Sequence, residues 1–130
     1  MIDVNFIDVD IVLNVHDAMI RLYGGSFGVR DQNLLKSALF QPQVVFNGNF
    51  VHQDVYIMAA AYLFHLIKNH PFVDGNKRTA VVTTLMFLQS NECVVTLGDQ
   101  QLYQLAIDVA ESKMSKQEIA EFFRKNIFEN

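Results

Sequence analysis

With 130 residues, 51% of them hydrophobic, the chain is long enough for one domain with a real core and too apolar to stay disordered. A formal net charge of −4 and a pI near 5.4 argue against a basic nucleic-acid face, so no direct DNA binding is expected. The single cysteine, Cys93, excludes an internal disulfide, and Met1 to Asn5 lack a basic and then apolar leader, so a cytoplasmic protein is expected.

In chain order, Ile11, Val15, Ala18, Met19 and Leu22 fall on one helical stripe and predict a first helix over Ile7 to Tyr23. Asp8 or Asp10 can cap its start, and Gly24-Gly25 ends it. His16 on this helix reads as a structural or surface residue. Asp31 is a good N-cap for a second helix through Phe40, with Leu34, Leu35, Ala38 and Leu39 on one face and Pro42 as its stop. Arg30 is expected to pair with Asp17 or Asp31. From Val44 to Val51, two β-branched or aromatic runs flank Asn47-Gly48, the favoured two-residue turn, and predict a β-hairpin.

Asp54 is expected to cap a third helix reaching about Asn69. Val55 to Phe64 is apolar all round, which makes this helix central, and too short to cross a bilayer, so no membrane association is expected. His65 reads as packing or surface, and Lys68 as a solvated helix end. A fourth helix starts near Asp74 to Asn76 and runs to Gln89, with Thr79, Thr83 and Thr84 able to bond back to the preceding turn. Cys93 to Leu97, with Val94-Val95-Thr96, reads as a short extended piece. Asp99 is expected to cap a fifth helix with the stripe Leu102, Leu105, Ala106, Val109 and Ala110. Ser115 to Glu118 is a capping box for a sixth, which buries Ile119, Phe122, Phe123 and Ile127. No repeat or linker divides residues 1–130, and the sum is one all-α domain, a helical bundle with a small β-hairpin.

Between the third and fourth helices the chain turns abruptly polar, at His70-Pro71-Phe72-Val73-Asp74-Gly75-Asn76-Lys77-Arg78. This stretch carries the side-chain types that phosphate chemistry needs. An imidazole moves protons near neutral pH, which suits His70 to accept one from a hydroxyl. Asp74 offers a carboxylate to a hard cation such as Mg²⁺. Gly75 and Asn76 can turn backbone N–H groups toward an anion at a helix start, with Lys77 and Arg78 to neutralise phosphate charge. Phe72 is expected to point into the core, and Pro71 to hold His70 extended. Singly, each residue has a plainer reading as a helix end, a turn or a solvated charge. A Lys-Arg pair at a helix start is nevertheless poorly placed against the dipole, which favours an anionic ligand. The stretch is not a Walker P-loop, since no Gly-x-x-x-x-Gly-Lys-(Ser/Thr) occurs.

The stretch closely resembles the Fic/Doc signature His-x-Phe-x-(Asp/Glu)-Gly-Asn-Gly-Arg-x-x-Arg, of which His70, Phe72, Asp74, Gly75, Asn76 and Arg78 are kept. Lys77 replaces the Gly, and Val81 the second Arg, of the AMP-transferring members. Both departures, and Asn76 to Ala80 as Asn-Lys-Arg-Thr-Ala, are similar to the Doc (death-on-curing) toxin branch. Leu22 to Gly25, Arg30-Asp31, and Ser37 to Leu39 before Pro42 extend the resemblance over most of the chain.

The resemblance implies a toxin that transfers the γ-phosphate of ATP, with Mg²⁺, to a hydroxyl on a translation elongation factor, elongation factor Tu in the family. It implies a flap at Phe46, Asn47 and Gly48 that positions the target segment. It implies an antitoxin partner whose C-terminal segment docks in a groove on the toxin. Two alternatives stand beside it: AMP transfer, as in most Fic proteins, and a mainly non-enzymatic antitoxin-binding module. Self-inhibited Fic proteins carry (Ser/Thr)-x-x-x-Glu-(Gly/Asn). Here Glu129-Asn130 is preceded by Lys125 where Ser or Thr is needed, so inhibition by a separate chain is expected.

Overall fold

Helix α3 (Val55–Asn69) is the element on which the others pack. Its start is fixed by Asp54, whose side chain accepts from Ile57 N at 2.9 Å and also receives Arg124 at 3.0 Å. Met58, Ala59, Ala60, Ala61, Tyr62, Leu63, Leu66 and Ile67 are all buried, so no solvent face runs along its middle. Each Leu-sized side chain buried this way stabilises by about 1.5–3 kcal/mol, which makes α3 the main contributor to the core. The computed structural model describes residues 2–129. Around α3 lie α2 (Gln32–Phe40), α4 (Asn76–Ser90), α5 (Asp99–Ala110) and α6 (Lys116–Asn126), while α1 (Val9–Tyr23) packs on α4. The domain is all-helical apart from two small antiparallel sheets, as the sequence predicts in class.

The local signals act as read. Asp31 accepts from Leu34 N at 3.0 Å and caps α2, which ends at Phe40 before a 3-10 turn at Gln41–Gln43. Ser115 and Glu118 exchange both capping-box bonds at the head of α6, at 3.1 and 3.0 Å. Strands β1 (Val45–Phe46) and β2 (Asn49–Phe50) form the hairpin, with Asn47 and Gly48 both at positive φ (51° and 78°) as a primed turn requires.

Four details differ. The buried face of α1 is Val12, Val15, His16 and Ile20, while Ile11 and Leu22 are exposed, because a histidine occupies the inner stripe and disguises it. On α5 the N-cap is Gly98, bonded through its N–H to Gln101 at 3.0 Å, so Asp99 lies inside the helix, and Ala110 is exposed. Only Thr84 bonds back, to Ala80 O at 2.7 Å, while the buried hydroxyls of Thr79 and Thr83 find no partner among the described residues. A second sheet pairs β3 (Cys93–Val95) with β4 (Ile127–Glu129), so Ile127 is buried as a strand residue rather than a helical one. The final residue of the Glu129-Asn130 pair lies outside the described residues. No described helix is long and apolar enough to cross a membrane.

Candidate active site

The polar stretch forms a loop between α3 and α4, and its conformation is set from within by two side chains. Phe72 is 1% exposed, so the loop is pinned to the core at its middle. Asn76 Oδ1 accepts from Phe72 N, and Asn76 Nδ2 donates to Phe72 O, both at 3.0 Å. The Asn76 side chain is therefore a clasp on the loop, and only its backbone N–H is left to face a ligand.

From outside, the segment between α1 and α2 lies along the loop as an extended strap. Val73 N donates to Gly28 O at 3.1 Å, and Val29 and Phe72 form an antiparallel bridge. Pro71 O accepts from both Arg30 N and Asp31 N, at 2.7 and 3.0 Å. Arg30 does not pair with Asp17 or Asp31: its Nε donates to His70 O at 2.7 Å and its Nη2 to Asn69 O at 2.8 Å. Asp17 pairs with Arg21 instead. The planar guanidinium fork thus caps the last carbonyls at the C-terminal end of α3.

His70 itself is the C-cap of α3 and sits in the left-handed region at φ 49° and ψ 55°. The expectation that Pro71 holds it extended is corrected here. A helix ending in a left-handed cap, with Arg30 on the two carbonyls, overrides the preference of the residue before proline. His tolerates this region better than most residues, and the turn leaves the imidazole exposed at the protein surface.

Asp74 is exposed, and both its oxygens accept backbone N–H groups: Oδ1 from Gly75 at 3.0 Å and Oδ2 from Ser26 at 3.2 Å. A side chain at Gly25 would collide with it, since a Cβ there would stand 2.7 Å from Oδ2, and Gly25 has φ +112°. Behind the turn, His16 Nε2 donates to Asp74 O at 2.8 Å, and its ring stacks on Phe72 at 3.9 Å with an interplanar angle of 7°. His16 and Arg30 thus hold the main chain of this loop, a contact that the sequence did not reveal. The signal available for His16 was its place four residues from both Val12 and Ile20 on a buried stripe.

Gly75, at φ 76°, is the N-cap of α4 and has no side chain to satisfy the helix. The first helical bond is Thr79 N to Gly75 O, so the N–H groups of Asn76, Lys77 and Arg78 point out of the helix end toward the loop. A helix end of this kind carries a positive dipole and suits an anion. Lys77 makes no ion pair among the described residues. Arg78 is engaged elsewhere: its guanidinium lies 4.2 Å from the Tyr23 ring centre and 5.2 Å from that of Tyr103. It lines a cleft of about 370 Å³ with Met19, Tyr23, Val81, Leu85 and Tyr103. The site thus brings His70, Asp74, Gly75 and the head of α4 onto one short loop, while Arg78 turns toward the neighbouring cleft.

Among the described residues no hydrogen bond joins the hairpin to this loop. Phe50 packs on Phe6 at 5.6 Å, whereas Phe46 at the tip is 71% exposed and Asn47 and Gly48 are exposed. Among the described residues its hydrogen bonds stay within the hairpin. No described group of three or more His, Cys, Asp or Glu residues could enclose a metal by itself. Asp74 still fits Mg²⁺, which takes one or two carboxylates together with phosphate oxygens and keeps several waters.

The family model described as Fic/DOC matches residues 6–88, which include α1, the strap, the hairpin, the loop and most of α4. A relative named Toxin Doc, from Mycolicibacterium smegmatis (strain ATCC 700084 / mc(2)155), is 37% identical over 94 residues, covering 72% of this chain and 68% of the relative. Protein kinase doc, from Escherichia phage P1, is 29% identical over 114 residues, covering 88% of this chain and 89% of the relative.

Proposed function

This chain belongs to the Fic/Doc family, and on that premise we propose that it is the toxin of a toxin–antitoxin pair, transferring the γ-phosphate of ATP to a protein hydroxyl. The observation that carries the reading is the uncapped head of α4 beside an oriented carboxylate and an exposed imidazole, all on one loop. Phosphoryl transfer is mostly positioning and charge neutralisation, and those are what this loop offers.

In this reading His70 accepts the proton of the target hydroxyl. Asp74 would hold Mg²⁺, which would neutralise charge on phosphate oxygens. The N–H groups of Asn76, Lys77 and Arg78 receive the phosphate charge that develops during transfer, and the Lys77 ammonium adds a point charge at the same end. Transfer of the terminal phosphate is favoured over AMP transfer by two residues. Val81 lies in the wall of the apolar cleft and offers nothing to a polyphosphate tail. Lys77 stands at the cradle itself, where a terminal phosphate with its higher charge gains most. The hairpin tip at Phe46, Asn47 and Gly48 is the flap that receives the target segment, and its unpaired edge suits pairing with an extended peptide. The target class, a translation elongation factor such as elongation factor Tu, and cytoplasmic action follow from the likeness to Doc. The antitoxin segment would dock in the cleft of Tyr23, Arg78 and Tyr103, which borders the head of α4.

Growth arrest on expression tests this reading. His70→Ala and Asp74→Ala are each expected to abolish arrest while keeping the helical signal and a cooperative melt, because both side chains are exposed. Arrest that persists in both variants would rule out the assigned site.

A further inference from the structure

The geometry points to His16 as a positioning residue of this site: from α1 it fixes the Asp74–Gly75 turn, and through it the aim of the Asp74 carboxylate and of the cradle at the head of α4. The inference rests on the phosphotransfer reading given above. Helix α1 carries an oddity. On the buried face of an otherwise aliphatic stripe, between Val12 and Ile20, stands an imidazole only 4% exposed. A Leu or Phe would fill that space without burying a polar ring, and a buried polar group lowers stability unless it is bonded.

The bond His16 makes is specific. A carbonyl oxygen only accepts, so Nε2 carries the hydrogen and donates to Asp74 O at 2.8 Å. This reaches across 58 residues of sequence to the main chain of the residue proposed to hold the cation. The same ring lies flat on Phe72 at 3.9 Å, so its orientation is set independently of the hydrogen bond. It also flanks Gly75: a Cβ built there would be 3.7 Å from His16 Cδ2. One rigid side chain therefore touches the loop at Phe72 and Asp74 and leaves little room beside Gly75. The Asp74 carboxylate is held by Ser26 and Gly75 N–H groups, but those donors orient it only if the main chain between them is fixed. Groups that orient a metal ligand from behind commonly matter about as much as the ligand's own setting.

Two substitutions separate the parts. His16→Phe keeps a flat ring against Phe72 and removes the donor. His16→Gln keeps an N–H donor and gives up the stack. The measurement is Mn²⁺ binding, followed by electron paramagnetic resonance, to the full chain with a non-hydrolysable ATP analogue, alongside the melting temperature of each variant. His16→Phe is expected to melt near the parent and to bind Mn²⁺ about tenfold more weakly. His16→Gln should recover most of that affinity even where it melts lower. If His16→Phe folds and binds Mn²⁺ as tightly as the parent, the positioning role is wrong and the site reading stands. If Mn²⁺ affinity simply follows melting temperature across both variants, or neither variant folds, His16 is structural only, and the inference is overturned. If the parent chain with the analogue binds no Mn²⁺ at all, the site reading itself fails and this inference falls with it.

Discussion

Phe72 and Asn76 exchange two hydrogen bonds, backbone N–H to side-chain oxygen and side-chain N–H to backbone oxygen, both at 3.0 Å. All of these groups are buried, so the pair closes the loop as a small ring before α4 begins. The side chain of the motif asparagine is thereby explained without any contact to ligand.

Replacing it has a definite expected effect. Asn76→Ala leaves the Phe72 N–H and C=O buried without partners, which costs about 1–3 kcal/mol for each group. Urea unfolding should show that loss, and transfer activity should fall further than stability does because the cradle loses its setting. A variant as stable as the parent would mean that water or another group replaces the clasp.

Arg30 gives a second test, directed at His70. Its fork holds the carbonyls of Asn69 and His70, at 2.8 and 2.7 Å, and keeps His70 in its left-handed turn. Arg30→Lys keeps the charge, but a single ammonium cannot reproduce the fork. Turnover is expected to drop about a hundredfold in Arg30→Ala, and nearly as far in Arg30→Lys, with the KM for ATP little changed. Steady-state kinetics check this, and unchanged turnover in the alanine variant would show that His70 keeps its place unaided.

Arg30 and His16 mark where sequence reasoning ran short. What is local was legible: the caps at Asp31, Asp54 and Ser115, the Asn47-Gly48 turn, and the run from His70 to Arg78. A cap or a tight turn is decided within four or five residues, so its chemistry is visible in a short window. Arg30 and His16 find their partners 40 and 58 residues away, on carbonyl groups that every residue carries, and no spacing encodes that. The backbone of His70 was misread for a related reason, because the rule for the residue before proline is local and the helix end with Arg30 is not. The pairing of Cys93–Val95 with Ile127–Glu129 is likewise long-range, and each strand is too short for alternation to stand out.

A pH prediction comes from the opposite side of α3. Lys116 donates to Nε2 of His52 at 3.1 Å and of His65 at 2.9 Å, which requires both nitrogens to be unprotonated. Burial first, and then the Lys116 charge and His52, push the His65 pKa down from 6.5 to about 4. Burial and Lys116 lower His52 as well. The unfolded chain takes up protons near pH 6.5 that the folded chain refuses, so this contribution to stability is complete above pH 6.5 and is lost as the pH falls toward about 4. The melting temperature should fall through that window. His65→Gln, which keeps an acceptor for Lys116 but does not titrate, should flatten the fall. Equal pH dependence in parent and variant would remove His65 as its source.

The central claim is the identity of the transferred group, and the label on ATP tests it most directly. The purified chain, free of any antitoxin, is incubated with cell extract and ATP labelled at either the α or the γ phosphate. With Lys77 at the cradle and Val81 in the cleft wall, label is expected on a protein only from γ-labelled ATP, and the acceptor should gain the mass of one phosphate. Label arriving from the α position, with the mass of AMP, would contradict the account and make this chain an AMP transferase.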